Sequence, residues 1–448
     1  MLAKKKCSIN QLVLIFLFFS MAIVCADTII IFCRADYIVS IIISTILFAG
    51  IYFLINKYYS IEKQTVNIVD IIALVGIAFF FLFRISIPDI QYDTQNYHVY
   101  SQEDFGVSNV AFNFFPARTF NSLTLPLGDR MFYIFRYLLG YRLGTMLSLL
   151  VLLLVYLQLK NILSVYFERK NIQVNKWLYL MLAIPVMMFD DILLYANTYY
   201  VDMLALPMFI EIVRIILFQK EQSKVDIALV IAMAAVAVSI KLSNTYVVMI
   251  LAILYIIKFR KSFSFKPVAF GLLLAVFSVF VYFYVNYRDT LNPVYPYMND
   301  LFKSPFFVTG VDINDYVGFN ARFGPETFKQ YLLWPLYVYL VPGRGSDLNF
   351  NSGGQIAYFF TLLIYIVLKI RKNKNRHLDL LAVLFVALYI IYLLPMQGYS
   401  RYIPILDIAG GLFTVLTITE CFASKKKSAV RTGRDRLHVL WDTLCQHH

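Results

Sequence analysis

Long apolar runs separated by short loops set the pattern of this chain. Runs near 11–33, 37–56, 67–86, 143–166, 177–190, 198–218, 225–240, 243–258, 266–286, 354–370, 378–396 and 402–420 recur along it. Each approaches the roughly 20 residues that one helical crossing of a bilayer needs, so they predict about twelve transmembrane α-helices. A transmembrane barrel would instead show short alternating segments. Two long polar stretches interrupt the runs. In 87–142, apolar and aromatic residues alternate with arginines and no run is long enough to cross, a pattern that predicts amphipathic helices in the membrane interface. In 287–353, proline and glycine predict turns and irregular backbone, and Thr327 to Val341 is too short to cross comfortably.

Composition strengthens the picture. The chain is 60% hydrophobic and 17% aromatic, with a mean hydropathy of +0.69. Only a bilayer solvates that much apolar surface, so the expected fold class is an all-α polytopic helical bundle. A formal charge of +13 invites a nucleic-acid partner, but the basic residues cluster in short loops: Lys4 to Lys6, Lys57 with Lys63, Arg169 with Lys170, Lys258 to Lys261, Lys369 to Arg376, and Lys425 to Lys427. These loops alternate with less basic ones, as the positive-inside rule requires, so the charge reads as topology and no nucleic acid is expected. The amino terminus and the basic tail 425–448 are then cytoplasmic, and both long stretches lie outside. The expected organisation is two helices in 1–66, a core in 67–286, a second outer loop in 287–353 and closing helices in 354–424. Cys7, Cys25, Cys33, Cys421 and Cys445 form neither a disulfide framework nor a CxxC pair. The first run reads as a retained anchor, because another span follows it directly.

Candidate chemistry begins at Asp93 in Tyr92-Asp93-Thr94-Gln95-Asn96-Tyr97-His98, just past a span. A carboxylate there can take the proton of an attacking hydroxyl, although a lone loop acid is more often only solvated. His98 reads at least as readily as a hydrogen-bonding residue as a metal ligand. Asp190 and Asp191 end one span and Asp202 begins the next; acids at membrane depth mark functional candidates, although the first two can equally terminate a helix in water. Lys241 is the one lysine in the outer connection SIKLSNTY, and Arg401 lies in GYSRYIP at the mouth of the last span. Each calls for an anionic partner such as a lipid phosphate, or else snorkels. The outer loops favour arginine: Arg118, Arg130, Arg136, Arg142, Arg288, Arg322, Arg344 and Arg401. A guanidinium fork suits a phosphate headgroup, while pairing with Asp89, Asp104, Asp129 and Asp289 is the alternative. Walker A, GxSxG, HExxH and GxGxxG motifs are missing from the sequence, so ATP-driven transport by this chain alone is not expected.

At these residues the sequence resembles bacterial multi-spanning glycosyltransferases of the GT-C superfamily. YDTQNYH with the downstream NFFPA resembles the family's acidic first-loop motif, ANTYYVD its T-x-x-x-D element, and LNPVYPYMNDLF a G-N-P-V-F-P-F-x-N segment. The resemblance covers most of 67–420. It implies transfer of a sugar from a polyprenyl-phosphate carrier to a lipid, glycan or protein acceptor, outside the bacterial inner membrane. It further implies Asp93 as general base, with Lys241, Arg401 and a loop arginine such as Arg118 holding the carrier phosphate. Asp202 would line the cavity, and His98 and Asn292 would bind substrate. No cofactor is firmly expected; a divalent metal is left open, with Asp93 and Asp190 or Asp191 as oxygen ligands. The chain departs from the pattern in having two spans before the one leading to Asp93, Asn96 before Tyr97-His98, and Leu291 where glycine is expected. A flippase for lipid-linked glycans and a polysaccharide polymerase or ligase are the competing readings.

Overall fold

The computed structural model describes residues 5–99, 102, 126–172, 174–311, 322–345, 353–370, 375–394, 396 and 398–421. The chain opens with strand β1 (Lys5–Asn10), helices α1 (Gln11–Cys33) and α2 (Tyr37–Tyr58), strand β2 (Tyr59–Glu62) and α3 (Ile68–Arg84). Then come α4 (Leu127–Leu143), α5 (Met146–Arg169), α6 (Lys176–Met187), α7 (Leu206–Phe218), α8 (Lys224–Ile240), α9 (Asn244–Phe259) and α10 (Phe265–Thr290). The last are α11 (Phe328–Leu340), α12 (Gly353–Ile370), α13 (Arg376–Leu393) and α14 (Pro404–Cys421). The protein is an all-α helical assembly, and six of the described helices, α1, α2, α5, α10, α13 and α14, are long and apolar enough to cross a membrane. Such a set fits a multi-pass membrane protein.

Sequence chemistry fixes where the helices start. Asn10, Asn67, Asn175, Ser223 and Asn375 each accept backbone N–H bonds at the first turns of α1, α3, α6, α8 and α13. Asp70 and Asp226 complete capping boxes at α3 and α8. These starts share the end of the molecule where the basic loops lie. The one sheet among the described residues is there too: β1 and β2 pair in parallel, Lys5 opposite Tyr59 and Cys7 opposite Ile61. Side chains beneath hold the ribbon. Ser8 donates through its N–H to Asp226 at 2.8 Å and Asn10 through its N–H to Glu211 at 2.7 Å, while Arg214 pairs with Glu211 at 2.8 Å and Glu62 at 2.9 Å.

Burial sorts the helices by role. Helix α5 is 78% buried over its apolar window and forms the centre, whereas α2 is 17% buried and presents its sides outward. Helices α12 and α14 cross backbone to backbone: a Cβ on Gly410 would stand 2.4 Å from the Gly354 carbonyl oxygen. A turn further along, Thr361 and Thr414 share a hydrogen bond of 3.1 Å. Small residues of this kind are what let membrane helices approach so closely. Gly410→Leu is therefore expected to overpack the crossing by about 1–3 kcal/mol or more and lower the thermal midpoint in detergent. An unchanged midpoint would mean the two helices do not cross there.

Two predicted spans differ from the observed helices. The run 177–190 is helical only to Met187, and 198–218 becomes regular only at Leu206. Between them the chain makes a short helical turn Asp190–Leu194, a 3₁₀ turn Tyr195–Asn197, extended backbone, and a second 3₁₀ turn Asp202–Ala205. Pro207 has no N–H to donate, so a helix tolerates it only in its first turn, and α7 begins there. The preceding backbone is diverted by a side chain, since the Tyr199 N–H donates to Asp89 at 2.9 Å rather than to a helical carbonyl. Asn197 bonds the Arg84 and Ile87 carbonyls, both at 3.3 Å, which ties this broken segment to the end of α3.

Candidate functional site

Asp93 lies in a short helical segment that passes through a π-helical turn, Thr94–His98. Asp89 holds the segment: its carboxylate accepts from the Gln91 N–H at 3.0 Å and the Thr94 hydroxyl at 2.7 Å, besides Tyr199. The turn projects Asp93, Tyr97 and His98 toward the broken segment before α7 and the mouth of α14.

Arg401 meets them from the other side. It sits on a single 3₁₀ turn, Ser400–Tyr402, reached through Gly398. Gly398 has φ +66°, and a Cβ there would stand 2.6 Å from the Trp334 indole nitrogen, so the turn requires glycine on both counts. The Tyr195 hydroxyl donates to the Arg401 carbonyl at 2.6 Å and fixes the backbone. The buried Arg401 guanidinium pairs with Asp93. It also stacks on the Tyr200 ring at 4.5 Å, with Tyr399 at 5.4 Å and Tyr402 at 5.6 Å.

A second ion pair adjoins the first. Lys241, at the end of α8, pairs with buried Asp202 and stands 4.2 Å over the Tyr402 ring. Tyr402 thus lies between the two cations. Nearby, His98 Nδ1 meets Asp129 of α4 at 2.7 Å, and the imidazole packs edge-on to Tyr200 at 5.8 Å.

Charge and burial compete at each group. Burial opposes the charge of Asp93, but Arg401 and then His98 outweigh it, and the carboxyl stays below the usual carboxylate range. Burial is the larger influence on Lys241 and pulls its ammonium below the ordinary value, against the attraction of Asp202. Among the described residues, Arg401 Nε and Nη1, His98 Nε2 and Asp202 Oδ2 are buried without hydrogen-bond partners. Polar atoms shut away from water normally find a partner, so these four carry unused hydrogen-bonding capacity. One arm of the Arg401 fork holds Asp93, and its remaining N–H groups are suited to an anion.

Five residues singled out from the sequence thus come together: Asp93, His98, Asp202, Lys241 and Arg401. Asn292 has another task. Its side chain donates to the Tyr297 carbonyl at 2.9 Å and accepts from the Val294 N–H at 3.0 Å, shaping its own loop. Before it, Leu291 adopts φ +60°, the left-handed geometry that explains why glycine is the expected residue there. Arg118 lies outside the described residues. Asp190 and Asp191 open the short turn Asp190–Leu194, and their side chains lie outside the description. Among the described residues no group of three His, Cys, Asp or Glu is placed to hold a metal, and Asp93 is already engaged by Arg401.

The arginine partners divide. Arg288 pairs with Asp289 at 2.6 Å, one of the acids expected for this task. Arg130 instead pairs with Asp27 of α1 at 3.0 Å, both wholly buried. Asp27 also accepts from the Tyr282 hydroxyl at 2.9 Å. An acid within an apolar run is itself the signal that finds Asp27. Tyr97, Tyr200 and Tyr402 carry no such signal in a chain with 33 tyrosines.

No family model, curated protein or solved structure matches the chain.

Proposed function

We propose that the protein is a multi-spanning membrane glycosyltransferase of GT-C type. It takes a sugar from a polyprenyl-phosphate carrier and passes it to a lipid, glycan or protein acceptor outside the bacterial inner membrane. In this reading the chain crosses about twelve times, the shorter helices included, and the site faces the periplasm or exterior. The observation that carries it is the pairing of Asp93 with a buried arginine whose Nε and Nη1 have no hydrogen-bond partner among the described residues, beside a second cation at Lys241. Charge-assisted donors held in a water-poor site stabilise a departing phosphate strongly. A base of the site, Asp93 by the resemblance, takes the proton of the acceptor hydroxyl, whose oxygen forms the new bond to the anomeric carbon. The carbon–phosphate oxygen bond breaks, and its electrons leave with the lipid phosphate, which needs no strong acid.

Purified protein in detergent, given a panel of polyprenyl-phosphate sugars and candidate acceptors, tests the reading. Wild type is expected to release polyprenyl phosphate. Asp93→Asn is expected to lower kcat by about 10²–10⁴-fold while keeping the fold, judged by elution profile and thermal midpoint. Equal turnover in the variant removes Asp93 from the reaction. The broken helices around 188–205 are the feature that favours a flippase, because transporters use discontinuous helices near their binding sites. Lipid-linked glycan that crosses liposomes without bond cleavage would establish that reading instead.

A further inference from the structure

A second histidine–carboxylate couple stands beside the Asp93–Arg401 pair. His98 is 2% exposed, its Nδ1 lies 2.7 Å from Asp129 Oδ1, and its Nε2 is buried with no partner among the described residues. The ring is held on three sides: Tyr97 at 4.3 Å, Tyr200 edge-on at 5.8 Å, and Asp129 at the Nδ1 edge. Asp129 is set in place from behind, because the next residue, Arg130, is locked into the Asp27 carboxylate and donates to the Gln102 carbonyl at 3.0 Å. A carboxylate at Nδ1 favours the tautomer with the proton on that nitrogen and leaves a lone pair on Nε2. It also stabilises the imidazolium formed when Nε2 takes a proton, as in hydrolytic triads.

We propose that His98 is a proton acceptor of this site and that Asp129 is its positioning residue. The inference rests on the transferase reading and changes its division of labour. A carboxylate gripped by a guanidinium is a weakened base, so Asp93 chiefly organises Arg401 and the donor, and the acceptor hydroxyl gives its proton to His98 Nε2. The O–H bond breaks, the oxygen pair forms the glycosidic bond, and the sugar–phosphate bond breaks toward the lipid phosphate. The proton ends on the imidazole, facing Asp129. Among the described residues, the charged and titratable groups around the ring are Asp93 and Tyr97 on its own turn, Asp129 on α4, and Tyr200 before α7, with Arg401 stacked on Tyr200.

Two measurements on the full-length protein in nanodiscs test this. The first is ¹⁵N NMR of protein labelled only at histidine, with His98→Gln assigning the His98 signals among five histidines. Wild type is expected to show Nδ1 protonated and Nε2 bare, and Asp129→Asn to move the proton to Nε2. A wild-type signal with Nε2 protonated and Nδ1 bare overturns the proposal. The second is steady-state transfer from a polyprenyl-phosphate sugar. Both variants are expected to lose about 10²-fold or more in kcat with KM changed less than threefold. His98→Gln at wild-type kcat overturns the proposal while leaving the transferase reading intact. Wild type that binds the lipid yet releases no polyprenyl phosphate overturns the transferase reading, and the proton-acceptor role with it. A retained thermal midpoint in Asp129→Asn, alongside lost kcat, separates positioning from folding.

Discussion

Arg401→Leu is expected to lower sugar transfer by on the order of 10³-fold. Two effects combine. The Nε and Nη1 donors that suit a lipid phosphate are gone, and the half-buried Asp93 loses its ion-pair partner. Arg401→Lys should recover only part of the activity, because an ammonium is a point charge without the fork that serves Asp93 and a phosphate together. Acidity gives a second readout. Arg401 holds the Asp93 carboxyl below its usual range, so the pair stabilises the fold at neutral pH. That stabilisation should persist above the ordinary carboxylate range and fade only as pH falls through the lowered value. In Arg401→Leu the protein should lose this pH-dependent component, which thermal midpoints measured from neutral to acidic pH would reveal. Transfer within tenfold of wild type would move the phosphate elsewhere.

The helical class and most of the site's ionic residues were legible because apolar periodicity and membrane-depth charge are strong local signals. Asp93, Asp202, Lys241 and Arg401 each stand out where a charge is costly. What the chain did not announce is who pairs with whom. Arg401 and Asp93 are 308 positions apart, and Lys241 and Asp202 are 39 apart, so both pairs exist only after the helices pack. Helix interruption at 188–205 was only half visible: the runs leave a connection at 191–197, but regular helix resumes only at Leu206. The run from Thr198 onward reads as the start of a span, and its irregular backbone depends on Asp89 capturing the Tyr199 N–H from another part of the chain. Asn292 shows the reverse case: its motif is visible, yet its side chain is spent on its own loop. His98 reads as an ordinary polar residue until α4 brings Asp129 to it.

The largest stability effect is expected from Asp27→Leu, by about 3–5 kcal/mol. The substitution leaves Arg130 wholly buried without its carboxylate, while the Gln102 carbonyl and the rings of Tyr37 and Tyr133, each 5.0 Å away, remain against it. Rings and neutral carbonyls do not replace a carboxylate when a full charge is shut away from water. Pairing Asp27→Leu with Arg130→Met removes both charges, and the double variant should regain most of the lost thermal midpoint, since a buried pair replaced as a unit is often neutral. Its catalysis should not return fully. Arg130 fixes the start of α4 against α1, and Asp129 beside it is what meets His98, so an apolar contact leaves that carboxylate less closely aimed. A single Asp27→Leu variant as stable as wild type would show that the pair is not buried in the folded protein, and the link from α1 to the His98 couple would fall with it.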